Sequence, residues 1–169
     1  MTLADFTSPG LVIPRLSGED AASVIQELSQ ALRREKRVPD LLPFYHAALN
    51  HEFLVGSNLE AGLAFPHARL PGLGEIAFAL GRSDEPLGWW SQAARSVRLV
   101  FLVAVPATDS TRYLLLCSGF ARLSKDAALV ERLLAAPDAS AMLEALRQIK
   151  LQNEPPPGIL KTPQTSGAS

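Results

Sequence analysis

Three histidines are present, and His67 has the setting best suited to chemistry. It follows Gly62-Leu63-Ala64-Phe65-Pro66. The three apolar residues between a glycine and a proline read as a short buried strand. Pro66 has no N–H for a ladder, so the strand should stop there or run along an edge. His67 then stands at a strand-to-loop transition, where a rigid core can hold an imidazole. A neutral imidazole in that position can serve as base, metal ligand or nucleophile. His51 is sixteen residues upstream, with Glu52, Ser57 and Glu60 between the two. His46 reads as a helix-surface residue without a role. Cys117, the single cysteine, falls on an apolar helical face and reads as an inert buried thiol.

The stretch ending in this histidine reads His51-Glu52-Phe53-Leu54-Val55-Gly56-Ser57-Asn58-Leu59-Glu60-Ala61-Gly62-Leu63-Ala64-Phe65-Pro66-His67. With the order of elements from Leu11 to Ile149, it resembles the fructose/mannitol-type enzyme IIA domain of the bacterial sugar phosphotransferase system, including its nitrogen-regulatory branch. Glu52, Leu54, Gly62, Ala64, Pro66 and His67 match the family motif in identity and spacing. The resemblance implies a three-layer α/β/α fold and a phosphohistidine at His67. It implies an HPr-type phosphocarrier as donor, and an enzyme IIB domain or a regulatory protein as target. Neither nucleotide nor cofactor is implied, and Gly72-Leu73-Gly74 is too short for a phosphate-binding loop.

The pocket departs from the family at three positions. The family arginine sixteen residues before the active histidine is His51, which replaces a fixed bidentate cation with a partial charge near neutral pH. The second family histidine is Tyr113, whose hydroxyl donates a hydrogen bond but carries no charge at pH 7. The family glycine seven residues before the active histidine is Glu60, which repels phosphate if it points at the site. Ser57 replaces a threonine and keeps the hydroxyl. Losing one charged hydrogen bond costs about 1.5–3 kcal/mol, or roughly one to two decades of rate if expressed at the transition state. A slow regulatory switch tolerates that better than a transport relay does. Two other readings stand beside the phosphocarrier: a protein-binding module that kept the fold and lost transfer, and a metal site on His51 and His67 with Glu52 or Glu60.

The elements that must position these residues follow from periodicity. Residues 11–13 read as a first, edge strand closed by Pro14. Ser17 fits the N-cap of a helix running to about Glu35, with Ala21, Val24, Ile25, Leu28 and Leu32 on one face. Arg33, Arg34, Lys36 and Arg37 suit its C-terminal end. Asp40 can cap a second helix over 41–52, with Leu42, Tyr45, Ala48 and Leu49 inward. Strands follow at 59–65 and at 76–80, the latter ended by Gly81. Residues 97–105, apolar apart from Arg98, read as a central strand buried on both faces. Asp109 or Ser110 starts a helix to Leu123 with Leu114, Cys117 and Phe120/Ala121 inward, and further helices span 126–134 and 137–150. Trp89 and Trp90 point to opposite sides of an extended chain, so one is partly exposed. The order predicts an α/β fold with a mixed central sheet flanked by helices.

Residues 9–152 read as one domain, 1–8 as a loose arm and 153–169 as a disordered Pro-rich tail. A length of 169 residues with 47% hydrophobic and 20% charged residues suits one globular domain. The net charge of −1 gives no reason to expect nucleic acid. The apolar run from Leu99 to Val105 is far shorter than the about 20 residues a membrane span needs. No signal-peptide pattern is evident, so the expected location is the cytoplasm.

Overall fold

The computed structural model describes residues 1–54, 62–89 and 97–151. Ser57, Glu60, Trp90 and the Pro-rich tail lie outside the described residues. Element order is β1 (Val12–Ile13), α1 (Ala21–Arg34), α2 (Leu41–Leu54), β2 (Leu63–Ala64), β3 (His67–Leu70), β4 (Ala77–Leu87), β5 (Val97–Pro106), α3 (Ser110–Ser124), α4 (Ala127–Ala135) and α5 (Ala139–Leu146). The sheet runs β1-β4-β5-β2, with β3 also on β5. β4 and β5 are antiparallel, and the remaining pairs are parallel. Alternate residues of β5 feed two separate cores. Leu99, Phe101, Val103 and Val105 pack with α3, α4 and α5. Val100, Leu102 and Ala104 pack with α1 and α2. The result is the expected three-layer α/β/α arrangement, with β5 buried on both faces as its apolar run required.

Several local expectations change. Asp20, not Ser17, caps α1, in a capping box with Ser23. The backbone N–H groups of Ser17 and Gly18 instead donate to the Glu27 carboxylate. α1 ends as predicted near Glu35, in a turn where Lys36 takes φ +62° and Arg37 N–H reaches back to Leu32 O. The inward face of α2 is Phe44, Ala48 and Glu52; Leu42 is 60% exposed. On α3 the buried residues are Leu116, Gly119, Phe120 and Leu123, whereas Leu114 is 65% exposed. Ala48 and Phe120 are buried as expected, but in both helices the rest of the buried face is rotated from the expected one, because packing partners rather than hydrophobicity alone set it.

Gly81 does not end a strand. β4 runs through it to Leu87, with Gly81 paired to Val100 and Arg82 to Leu99 on β5; a Cβ at Gly81 would lie 2.5 Å from Leu16 Cδ2, so the missing side chain makes room for that leucine. Residues 1–8 are not a loose arm either. Leu3 is fully buried and its N–H donates to Ile149 O, while Leu151 N–H donates to Met1 O, so the start of the chain is tied to residues 149–151.

Candidate functional site

His67 is not in a loop. Leu63 pairs with Leu99, Ala64 with Val100 and His67 with Val103, so β2 and β3 share one register on β5. Pro66 interrupts the strand without ending it. It has no N–H to donate, but its carbonyl still accepts from Val103 N–H at 2.9 Å. Gly62 starts this edge at φ +78°, a left-handed conformation that favours glycine, and its carbonyl accepts from Arg98 and Leu99 N–H. The Gly-x-Ala-x-Pro-His spacing thus works as a device: a left-handed start, one buried turn of pleat, a proline break, and an imidazole at the sheet edge.

Two helices close on that imidazole. α2 packs on β3, bringing His51 to a ring-centroid distance of 4.4 Å from His67 at a tilt of 56°. Its position is braced by neighbouring Glu52, which is buried and accepts from Trp89 Nε1 at 2.9 Å. His51 Nδ1 is itself buried and has no hydrogen-bond partner among the described residues. From the other face comes α3. Phe120 stacks on Phe65 at 4.6 Å, and two turns earlier on the same helix Tyr113 reaches His67. The Tyr113 hydroxyl is 3.2 Å from Nδ1 and 3.4 Å from Nε2.

Electrostatics keep His67 neutral. Burial of the ring is the main cause, with the charges of His51 and Arg69 adding to it, and together they depress its pKa to about 4. Above that pH at least one nitrogen keeps a free lone pair. Burial also raises the Tyr113 phenol above its ordinary value, so the hydroxyl stays protonated. It accepts from the protonated imidazole nitrogen or donates to the bare one, and in the first case it leaves the other nitrogen free to attack. Cys117, half-buried on α3 beside Tyr113, has its thiol pKa raised by burial, as an unreactive thiol would.

Of the sequence candidates, the structure brings together His67, His51 and Tyr113; Ser57 and Glu60 fall outside the described residues. Among the described residues no cluster of three metal-ligating side chains forms; Glu60, one of the candidate ligands beside His51 and His67, lies outside them. His46 is exposed on α2. One residue was missed. Arg69 lies two positions after His67 on β3, its Nη1 donates to Ser110 Oγ at 3.2 Å, and its Cζ lies 5.5 Å from the Tyr113 ring centroid. The signal was period-two spacing, hidden because Pro66 was read as the end of the strand.

Residues 5–149 match the family model described as phosphoenolpyruvate-dependent sugar phosphotransferase system, EIIA 2. The chain belongs to this EIIA type 2 family. Over 146 residues it is 29% identical to a nitrogen regulatory protein of Bradyrhizobium diazoefficiens, covering 86% of this chain and 95% of that protein. Its fold is similar to that of nitrogen regulatory protein IIA-Ntr from Neisseria meningitidis, with a TM-score of 0.76 and 21% identity over 85% of this chain and 98% of the other. It is also similar to Escherichia coli enzyme IIA mannitol, solved in complex with phosphorylated enzyme IIB mannitol, with a TM-score of 0.66 and 16% identity over 82% of this chain and 95% of that one. The EIIA type 2 fold accounts for the mixed sheet with helices on both faces, and no helix among the described residues is long and apolar enough to cross a membrane.

Proposed function

We propose that this EIIA type 2 protein is a phosphocarrier that accepts a phosphoryl group on His67 from an HPr-type protein in the cytoplasm and uses it as a regulatory signal. Its outlets are an enzyme IIB domain or a regulatory protein target. The observation that carries this reading is the neutral imidazole of His67 at the sheet edge, between the rings of His51 and Tyr113. Chemistry of this kind needs alignment and charge stabilisation rather than a cofactor. The lone pair of one His67 nitrogen attacks phosphorus as the donor's N–P bond breaks, and that electron pair returns to the donor ring. The proton on the far nitrogen of His67 leaves, and the donor imidazole regains one, so the exchange balances. The His51 ring, whose buried Nδ1 has no hydrogen-bond partner among the described residues, lies 4.4 Å from that of His67, so a phosphoryl oxygen on His67 is a candidate partner for it. Likeness to a nitrogen regulatory protein along nearly its whole length supports the regulatory branch.

A second reading, a binding module that no longer transfers phosphate, is favoured by the Tyr113 hydroxyl lying within reach of both His67 nitrogens. The two separate on incubation with a phosphorylated HPr-type protein. A carrier gives an acid-labile, base-stable phosphoryl adduct in the wild type and none in His67→Ala. Equal labelling of the two proteins removes His67 as acceptor. No labelling of either, with partner binding intact, leaves the binding module.

A further inference from the structure

Position 51 holds an imidazole, so the fixed positive charge that a phosphoryl group needs must come from another residue. We propose that Arg69 is the phosphoryl ligand of this chain: its guanidinium leaves Ser110 and binds the oxygens of a phosphoryl group carried on His67. This rests on the phosphocarrier reading above and adds to it the residue that holds the transferred group.

Four observations carry it. Arg69 and His67 are two residues apart on one strand, so both side chains project from the same face with their backbones about 7 Å apart. The guanidinium lies over the ring of Tyr113, whose hydroxyl touches His67. Its side-chain anchor among the described residues is a neutral hydroxyl, Ser110 Oγ at 3.2 Å, on the exposed surface. No ion pair holds Arg69 among the described residues. A hydrogen bond between an exposed cation and a neutral hydroxyl is weak beside a bidentate guanidinium–phosphate pair. Phosphorylation of His67 therefore gives Arg69 a better partner within reach. In the step itself one N–P bond breaks on the donor and one forms on His67. Arg69 exchanges no proton and stabilises the charge on the three equatorial oxygens.

The test compares wild type, Arg69→Gln, Arg69→Lys and Ser110→Ala with two donors, a phosphorylated HPr-type protein and phosphoramidate. Arg69 is exposed, so the variants should fold, and unchanged melting temperatures check this. Arg69→Gln is expected to slow the saturated rate of His67 phosphorylation about ten- to hundredfold with both donors. Arg69→Lys should recover part of that loss, and Ser110→Ala should stay within about twofold of wild type. A rate for Arg69→Gln within twofold of wild type overturns the proposal. So does a loss confined to the protein donor and to KM, which would make Arg69 a docking contact for the donor. If the wild type takes label from neither donor, the phosphocarrier reading itself fails, and the proposal with it.

Discussion

The pair His51 and His67 sets how this site responds to its surroundings. Their rings are 4.4 Å apart, close enough for the charge on one to act on the other. An imidazole offers a hydrogen bond but no permanent charge, whereas a guanidinium offers both. A phosphoryl group on His67 would place two negative charges beside the His51 ring. His51→Arg restores the family's cation there and should raise the rate of labelling by roughly ten- to hundredfold. Initial rates for wild type and variant at one donor concentration and one pH check this. An unchanged rate in the variant would show that position 51 does not contact the phosphoryl group.

At the scale of elements, the sheet is clamped to the helices beyond β1 by one buried arginine. Arg82 on β4 donates from Nε to Pro14 O at 3.0 Å and from Nη1 to Leu133 O at 2.8 Å and Ala136 O at 2.7 Å. Those last carbonyls are at the C-terminal end of α4, where a cation also meets the helix dipole. Arg82→Met would leave several buried carbonyls without donors, so we expect a loss of about 3 kcal/mol, read as a lower urea midpoint at unchanged m-value. Arg82→Lys keeps the charge but not the fork and should fall between. Nothing in the local pattern marked Arg82 as buried, because its partners are contributed by segments more than fifty residues away. The same limit explains the other differences. The apolar run of β5, the start of α3 at Asp109 or Ser110 and the starts of α4 and α5 near 126 and 137 were legible because they are local signals. The faces of α2 and α3, the passage of β4 through Gly81 and the burial of Leu3 depend on what packs against them. In the site, His67 was legible from its place after the Gly-x-Ala-x-Pro run, and His51 and Tyr113 through the family resemblance. Arg69 required knowing that the strand resumes after Pro66.

The whole molecule carries a cost for holding His67 neutral. Its stability rests on two apolar clusters on either side of the sheet, while the ion pairs Arg15–Asp84 and Arg147–Glu144 are exposed and contribute little. In the unfolded chain His67 titrates near the ordinary imidazole value of about 6.5, but in the fold it titrates at about 4. Between those values the unfolded chain binds a proton that the folded chain does not, so stability falls as pH falls through this window. Above pH 6.5 the term vanishes, and below about 4 it is at its full size and no longer grows. With the solvent-facing edge of the ring screened, we expect about 1–2 kcal/mol from this residue. Urea unfolding at pH 7, 5.5 and 4.5 for wild type and His67→Gln isolates it, since the carboxylates titrate alike in both. The variant should close on, or overtake, the wild type as the solution is acidified. A difference that stays constant over this range would mean that the ring is not desolvated in the fold. The nucleophile would then need another cause for its neutrality than its place between α2 and α3.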